Sequence, residues 1–237
     1  MANLRKRAFL LFRILIILAL IIGFYWAWLT LKNPDIFPIK TVEVQASYKH
    51  IDKITLGKII LPYVSQGFFN LNIEQLQQQL LQMPWIENVE VNRIWPATVH
   101  ITVSEQQAVA RWGNNALINA QGVIFNPAPD TFPNNLPVLT GDNPTQVKQL
   151  WNDYQQMTTI LSPIGLHIAE LDMDARQALT LILTNGAQIL LGQENALAHL
   201  QRFVSVYPKI FTNPSLYAKS VDLRYDHGMA IHWQKKS

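Results

Sequence analysis

The chain has 237 residues, 49% of them hydrophobic, and a formal net charge of +3. That charge sits at one end: residues 1–31 hold Arg5, Lys6, Arg7 and Arg13 and no acid, which leaves 15 basic residues against 16 acidic ones in the remainder. A near-neutral body argues against a basic groove for nucleic acid, and the absence of cysteine excludes a disulfide framework and thiolate chemistry.

From Ile14 to Leu31 the chain runs 18 residues without a charge. As a helix this segment is about 27 Å long, close to the thickness of a hydrocarbon core. A cleavable signal would have a shorter apolar stretch ending in small residues. Here the stretch runs instead into Phe24-Tyr25-Trp26-Ala27-Trp28, the composition of an interfacial aromatic belt. An uncleaved anchor is therefore expected. The basic flank predicts that residues 1–13 are cytoplasmic and residues 32–237 lie beyond the inner membrane, in the periplasm, as a single-pass type II protein.

A Pro-punctuated linker, residues 32–38, precedes an alternating strand over 39–44. Residues 51–63 have the spacing of a helix closed by Pro62, and Asn72 is the N-cap expected of a second helix stopped by Pro84. Alternation then predicts two strands, Trp85–Ile94 and Thr98–Glu105, joined by Trp95-Pro96-Ala97. A first outer domain thus spans 39–105 in the order strand, helix, helix, strand, strand, and a second spans 106–237. In the second, Gly, Asn and Pro punctuation over 106–140 points to hairpins. A helix over 145–161 is followed by strands near 166–173, 178–184 and 187–191, the last two joined at Asn185-Gly186. A helix over 194–207 ends at Pro208, and strands near 217–225 and 229–235 flank Asp226-His227-Gly228. The class is α+β, with a mainly antiparallel second domain and flanking helices.

Six histidines are present, without a His-Glu-x-x-His pattern or carboxylates spaced to complete a metal site. Asp172 and Asp174 share a face if extended, as acid–base or cation-binding pairs can. No nucleophile elbow, phosphate loop or dinucleotide fingerprint occurs. No catalytic residue, cofactor or metal is expected. A binding function is.

The run from Trp85 through Trp95-Pro96 to Ala110-Arg111-Trp112, with Tyr207-Pro208 and Val221-Asp222-Leu223-Arg224-Tyr225, resembles the FtsQ/DivIB cell-division family. The order of parts is similar too: basic tail, anchor helix, POTRA domain, β domain. The resemblance implies a POTRA fold for 39–105 and a non-enzymatic division scaffold at the septum, linking early and late division proteins. It also implies that the β domain binds the FtsB–FtsL complex, mainly FtsB, by strand addition to its last strand. The positions that match the family's partner contacts are Tyr225, His227, Gly228, Trp233 and Arg176, with Val91 and Arg93 on a POTRA surface that recruits other division proteins. Patterning alone leaves a second reading of Trp233, because Met229, Ile231 and Trp233 share one strand face that can pack inward. A POTRA-type chaperone for outer-membrane or secreted proteins is the alternative function, and an anchored hydrolase a third.

Overall fold

The N-terminal segment is one uninterrupted helix, α1 (Ala2–Leu31), in the computed structural model, which describes residues 2–211, 216–225 and 228–235 and, within these, side chains other than those of residues 2–11, 216 and 217. Phe12–Leu31 is long and apolar enough to cross a membrane, and none of it is buried against protein. Past its end the Lys32 ammonium lies 4.9 Å from the Trp28 ring centroid. The linker then folds onto the domain that follows. Asn33 accepts from the Ile36 and Phe37 amides at 3.1 Å, and the Phe68 amide donates to the Phe37 carbonyl at 2.8 Å. Gly67 (φ +91°) makes this approach possible, since a Cβ there would stand 2.8 Å from Pro34 Cα.

The chain divides into two units, Met1–Gln106 and Gln107–Ser237. After α1, the first contains β1 (Thr41–Gln45), α2 (Lys53–Val64), α3 (Ile73–Leu81), β2 (Ile86–Ile94) and β3 (Thr98–Glu105). Its sheet has the order β1-β3-β2, with β1 parallel and β2 antiparallel to β3. Asp52 and Asn72 cap the two helices, accepting from the Thr55 amide at 2.8 Å and the Gln75 amide at 3.0 Å. The i, i+4 pairs Leu56/Ile60 and Leu76/Leu80 are buried, as are Val99, Ile101 and Val103 of β3. A register shift between Ile86 and Asn88 lets Ile86 and Val89 both point inward despite their odd spacing.

A carboxylate fastens the loop between β1 and α2. Glu105, its side chain 6% exposed, accepts from the Lys49 and His50 amides at 3.0 Å each. Its Oε2 lies 3.4 Å from His50 Nδ1, and the His50 ring stacks on Trp85 at 3.8 Å. Burial pushes the Glu105 carboxyl up, but the hydrogen bonds from Ser47, His50 and Lys49 outweigh it and hold the group below its ordinary range. A carboxyl depressed in the folded state adds stability above the ordinary glutamate range and loses it as pH falls through the folded value. Glu105→Gln is therefore expected to lower the stability of the outer region at pH 7 and to flatten its acid limb, as urea unfolding between pH 3 and 7 would show. A variant with the wild-type acid limb would contradict this.

The second unit contains β4 (Ala108–Trp112), β5 (Ala116–Asn119), β6 (Ile124–Phe125), β7 (Val138–Gly141), α4 (Val147–Leu161), β8 (Ile168–Met173), β9 (Leu179–Leu183), β10 (Gln188–Gly192), α5 (Ala196–Ile210), β11 (Leu216–Asp222) and β12 (Ala230–Lys235). They build one sheet in the order β12-β11-β10-β9-β8-β7-β4-β5-β6. Most neighbours are antiparallel. The pairs β4/β7, β7/β8 and β10/β11 are parallel, and the last two are bridged by helices, α4 and α5 respectively. Leu150, Met157 and Leu161 of α4, with Leu200 and Phe203 of α5, belong to one core with Leu139, Leu171, Leu181, Ile189 and Val221 of the sheet.

Pro62 and Pro208, expected to close their helices, lie inside α2 and α5. Each sits in the last turn, where the missing N–H costs one bond and little helix remains to distort. The strand expected to reach Tyr225 stops at Asp222. There the Arg224 amide turns back to Asp222 Oδ1 at 3.1 Å, and the chain leaves the ladder.

Candidate functional site

At one end of the nine-stranded sheet, β12 is hydrogen-bonded to β11 alone among the described residues. Its alternation is clear: Ala230, His232, Gln234 and Lys235 are exposed, while Ile231 and Trp233 are half-buried. Strand β11 matches this face through a bulge. The register steps from Ala218↔Trp233 to Ser220↔His232, leaving Lys219 as the extra residue. The bulge lets Ala218 and Val221, three positions apart, both face inward, 6% and 1% exposed. Ala218 opposite Trp233 is small, and the indole lies 5.0 Å from the Phe211 ring. Phe211 in turn stacks on Tyr207 at 4.3 Å. Trp233 thus rests on an aromatic base at the C-terminal end of α5 and keeps part of its surface open.

The turn between β11 and β12 carries Tyr225, which is 55% exposed. Arg202, from the middle of α5, holds both sides of this turn: its Nη2 donates to the Tyr225 carbonyl at 2.6 Å and to the Gly228 carbonyl at 3.1 Å. Nothing in the periodicity of α5 singles out Arg202. The neighbouring Arg224 grips Asp222 in a two-point pair, Nε to Oδ1 at 2.9 Å and Nη2 to Oδ2 at 2.7 Å. The Arg224 hydrogen bonds hold the Asp222 carboxyl below its usual range. Where the Arg224 stem crosses Gly192, a Cβ would meet its Cγ at 3.2 Å.

The residues singled out by sequence are distributed as follows. Tyr225 and Gly228 meet through Arg202, and Trp233 lies further along β12. Arg176 is exposed in the turn between β8 and β9 and lines an open cleft with Arg224, Glu194 and His199. His227 lies outside the described residues. In the other unit Arg93 is exposed and its guanidinium donates to the Leu71 carbonyl. Val91 corrects the expectation of a surface contact: it is 5% exposed and sits opposite Ile101, so it is a core residue. Of the acidic pair, Asp174 serves its turn, accepting from the Arg176 and Ala178 amides at 2.8 Å. Asp172 is pushed up, by burial first and then by the charges of Asp174 and Asp142.

Among the described residues this end of the sheet joins a strand paired on one side only, two partly open aromatics and the arginines Arg176, Arg202 and Arg224. Comparison with known proteins identifies the family. The family description "POTRA domain, FtsQ-type" matches residues 37–106, and "Cell division protein FtsQ/DivIB, C-terminal" matches residues 110–224. Among relatives described as "Cell division protein FtsQ", that of Coxiella burnetii is 38% identical over 206 residues, covering 87% of this chain and 84% of its own. The Methylomonas methanica protein is 30% identical over 90% of this chain and 86% of its own. That of Xanthomonas campestris is 32% identical over 82% and 69%. With an apolar N-terminal helix, a POTRA fold and a helix-flanked, mostly antiparallel sheet in the same order, the chain belongs to the FtsQ/DivIB family of cell-division proteins.

Proposed function

We propose that this chain is a non-enzymatic scaffold of the division machinery, acting at the septum, and that it binds the FtsB–FtsL complex through β12 and the turn before it. Residues 14–31 anchor it in the inner membrane, with 1–13 cytoplasmic and 32–237 periplasmic. In this division of labour 39–105 is the POTRA domain and 106–237 the partner-binding domain. The observation that carries the reading is the position of β12 at the end of the sheet order, beside the exposed Tyr225. An edge strand offers main-chain donors and acceptors to an incoming strand, and its polar outward side chains limit indiscriminate pairing. Tyr225 and Trp233 supply rigid apolar area of the kind that dominates interface energetics. Arg176, exposed in the cleft that the Asp222-paired Arg224 also lines, favours an acidic group in the partner. On the POTRA side, Arg93 without Val91 is what remains of the second contact surface. Isothermal titration of residues 32–237 with the soluble outer portion of FtsB–FtsL tests the reading, and a folded wild type that does not bind would end it.

Arg202 acts here as a positioning residue. Arg202→Met keeps the apolar stem and removes both hydrogen bonds to the turn. The expected result is an affinity loss of about tenfold, near 1.4 kcal/mol, with little change in melting temperature. Arg202→Lys restores part of it, because an ammonium can still reach one carbonyl. Unchanged affinity in Arg202→Met would show that the turn keeps its shape unaided.

A further inference from the structure

We propose that the tip of the hairpin joining β2 and β3, Trp95 with Ile94, seats in the headgroup layer of the membrane that α1 crosses, making the POTRA domain a second, peripheral point of membrane contact. The inference rests on the anchor reading above. Trp95 is 74% exposed and Ile94 is 48% exposed. Neither residue belongs to the core, and an indole this exposed leaves a large apolar area unburied.

The tip's place in the fold indicates what covers it. The Ala97 carbonyl accepts from the amides of Lys40 at 2.8 Å and Thr41 at 3.3 Å, so the tip is tied to the chain just after it leaves α1. The intervening linker is itself pinned, through the Phe37 carbonyl to the Phe68 amide and the Lys32 carbonyl to the Asn70 side chain. The end of the domain that receives α1 therefore contains the linker, the Phe68–Asn70 loop and the hairpin tip. Exposed apolar side chains collect there: Ile36 at 52%, Phe69 at 42%, Ile94 and Trp95. So do exposed cations, Lys32, Lys40 and Arg93, with the exposed acids Asp35 in the linker and Glu43 in β1. The opposite end of the hairpin, where Ile86 faces Glu105, carries the exposed acid Glu87 together with the exposed Lys49. Aromatic rings with apolar neighbours and a cationic fringe are the composition that partitions into an anionic bilayer surface. The occupant is thus phospholipid, with charge complementarity to anionic headgroups.

The absence of cysteine makes the test direct. The full chain would carry Ile94→Cys, Glu87→Cys or Tyr25→Cys, each labelled with one environment-sensitive fluorophore. Each would be placed in nanodiscs of phosphatidylethanolamine and phosphatidylglycerol with doxyl-labelled lipid. Position 25 should be quenched strongly, and position 94 at least about twofold more than position 87, as expected of an interfacial site. Adding Trp95→Glu should bring position 94 down to the level of position 87, and removing phosphatidylglycerol should weaken its quenching. Trp95→Cys provides a second labelled site if Ile94→Cys does not fold. Equal quenching at 94 and 87 with strong quenching at 25 would overturn the proposal, leave the anchor standing and free Trp95 for a protein partner. Absence of quenching at 25 would remove the anchor reading and this inference with it.

Discussion

Tyr225→Ala is expected to lower affinity for FtsB–FtsL by about 2 kcal/mol, roughly 30-fold, while the melting temperature of the free protein barely moves. The reason is its exposure: at 55% the ring has little to lose in the unbound fold, and surface truncations usually cost within about 0.5 kcal/mol. Trp233→Ala should differ in kind. Its indole lies 5.0 Å from Phe211 and is half-buried, so the variant loses affinity and stability together. We expect about 2 kcal/mol of stability, less than the 3–5 kcal/mol of a fully buried aromatic. Titration calorimetry paired with thermal unfolding separates the two behaviours. Normal binding by both folded variants would move the interface away from β12.

The largest stability effect is expected from Phe203→Ala. Phe203 is 1% exposed and meets Tyr207 and Phe211 edge-on, with ring centroids at 5.4 and 5.8 Å. Truncation removes the floor of the aromatic base that supports Trp233 and should cost about 3–5 kcal/mol. In a domain of this size that is a drop on the order of 10 °C in melting temperature. Phe203→Leu keeps most of the volume and should retain the fold while weakening binding, since the Phe211 ring loses its edge contact and Trp233 shifts with it. Equilibrium urea unfolding of the two variants checks the order. A loss below about 1 kcal/mol for Phe203→Ala would mean that the base repacks without strain.

Local patterns spoke clearly where the chemistry is local. The charge-free run ending at Leu31, the Asn72 cap and the alternation of Thr98–Glu105 each rest on groups a few residues apart, and each appears in the structure as expected. Val91 is instructive: the two-residue period that buries Val89 buries Val91 too, and only the family match had placed it at a surface. Tyr225 fell outside its strand because an aspartate-led turn at Asp222 overrides β propensity. The bulge at Lys219 was invisible because an extra residue shifts alternation without any composition of its own.

By itself, then, the sequence determined the apolar N-terminal helix, the α+β class, the order of elements and the aromatics worth suspecting. All of these follow from hydrophobic period and capping, which neighbouring residues impose on one another. The tertiary structure alone decided that β12 ends the sheet, that Trp233 leans on Phe211 across an inward face, and that Arg202 binds a turn 23 residues away at Tyr225. Such contacts join groups distant along the chain. Their energies depend on how two helices and nine strands pack, which no local pattern records.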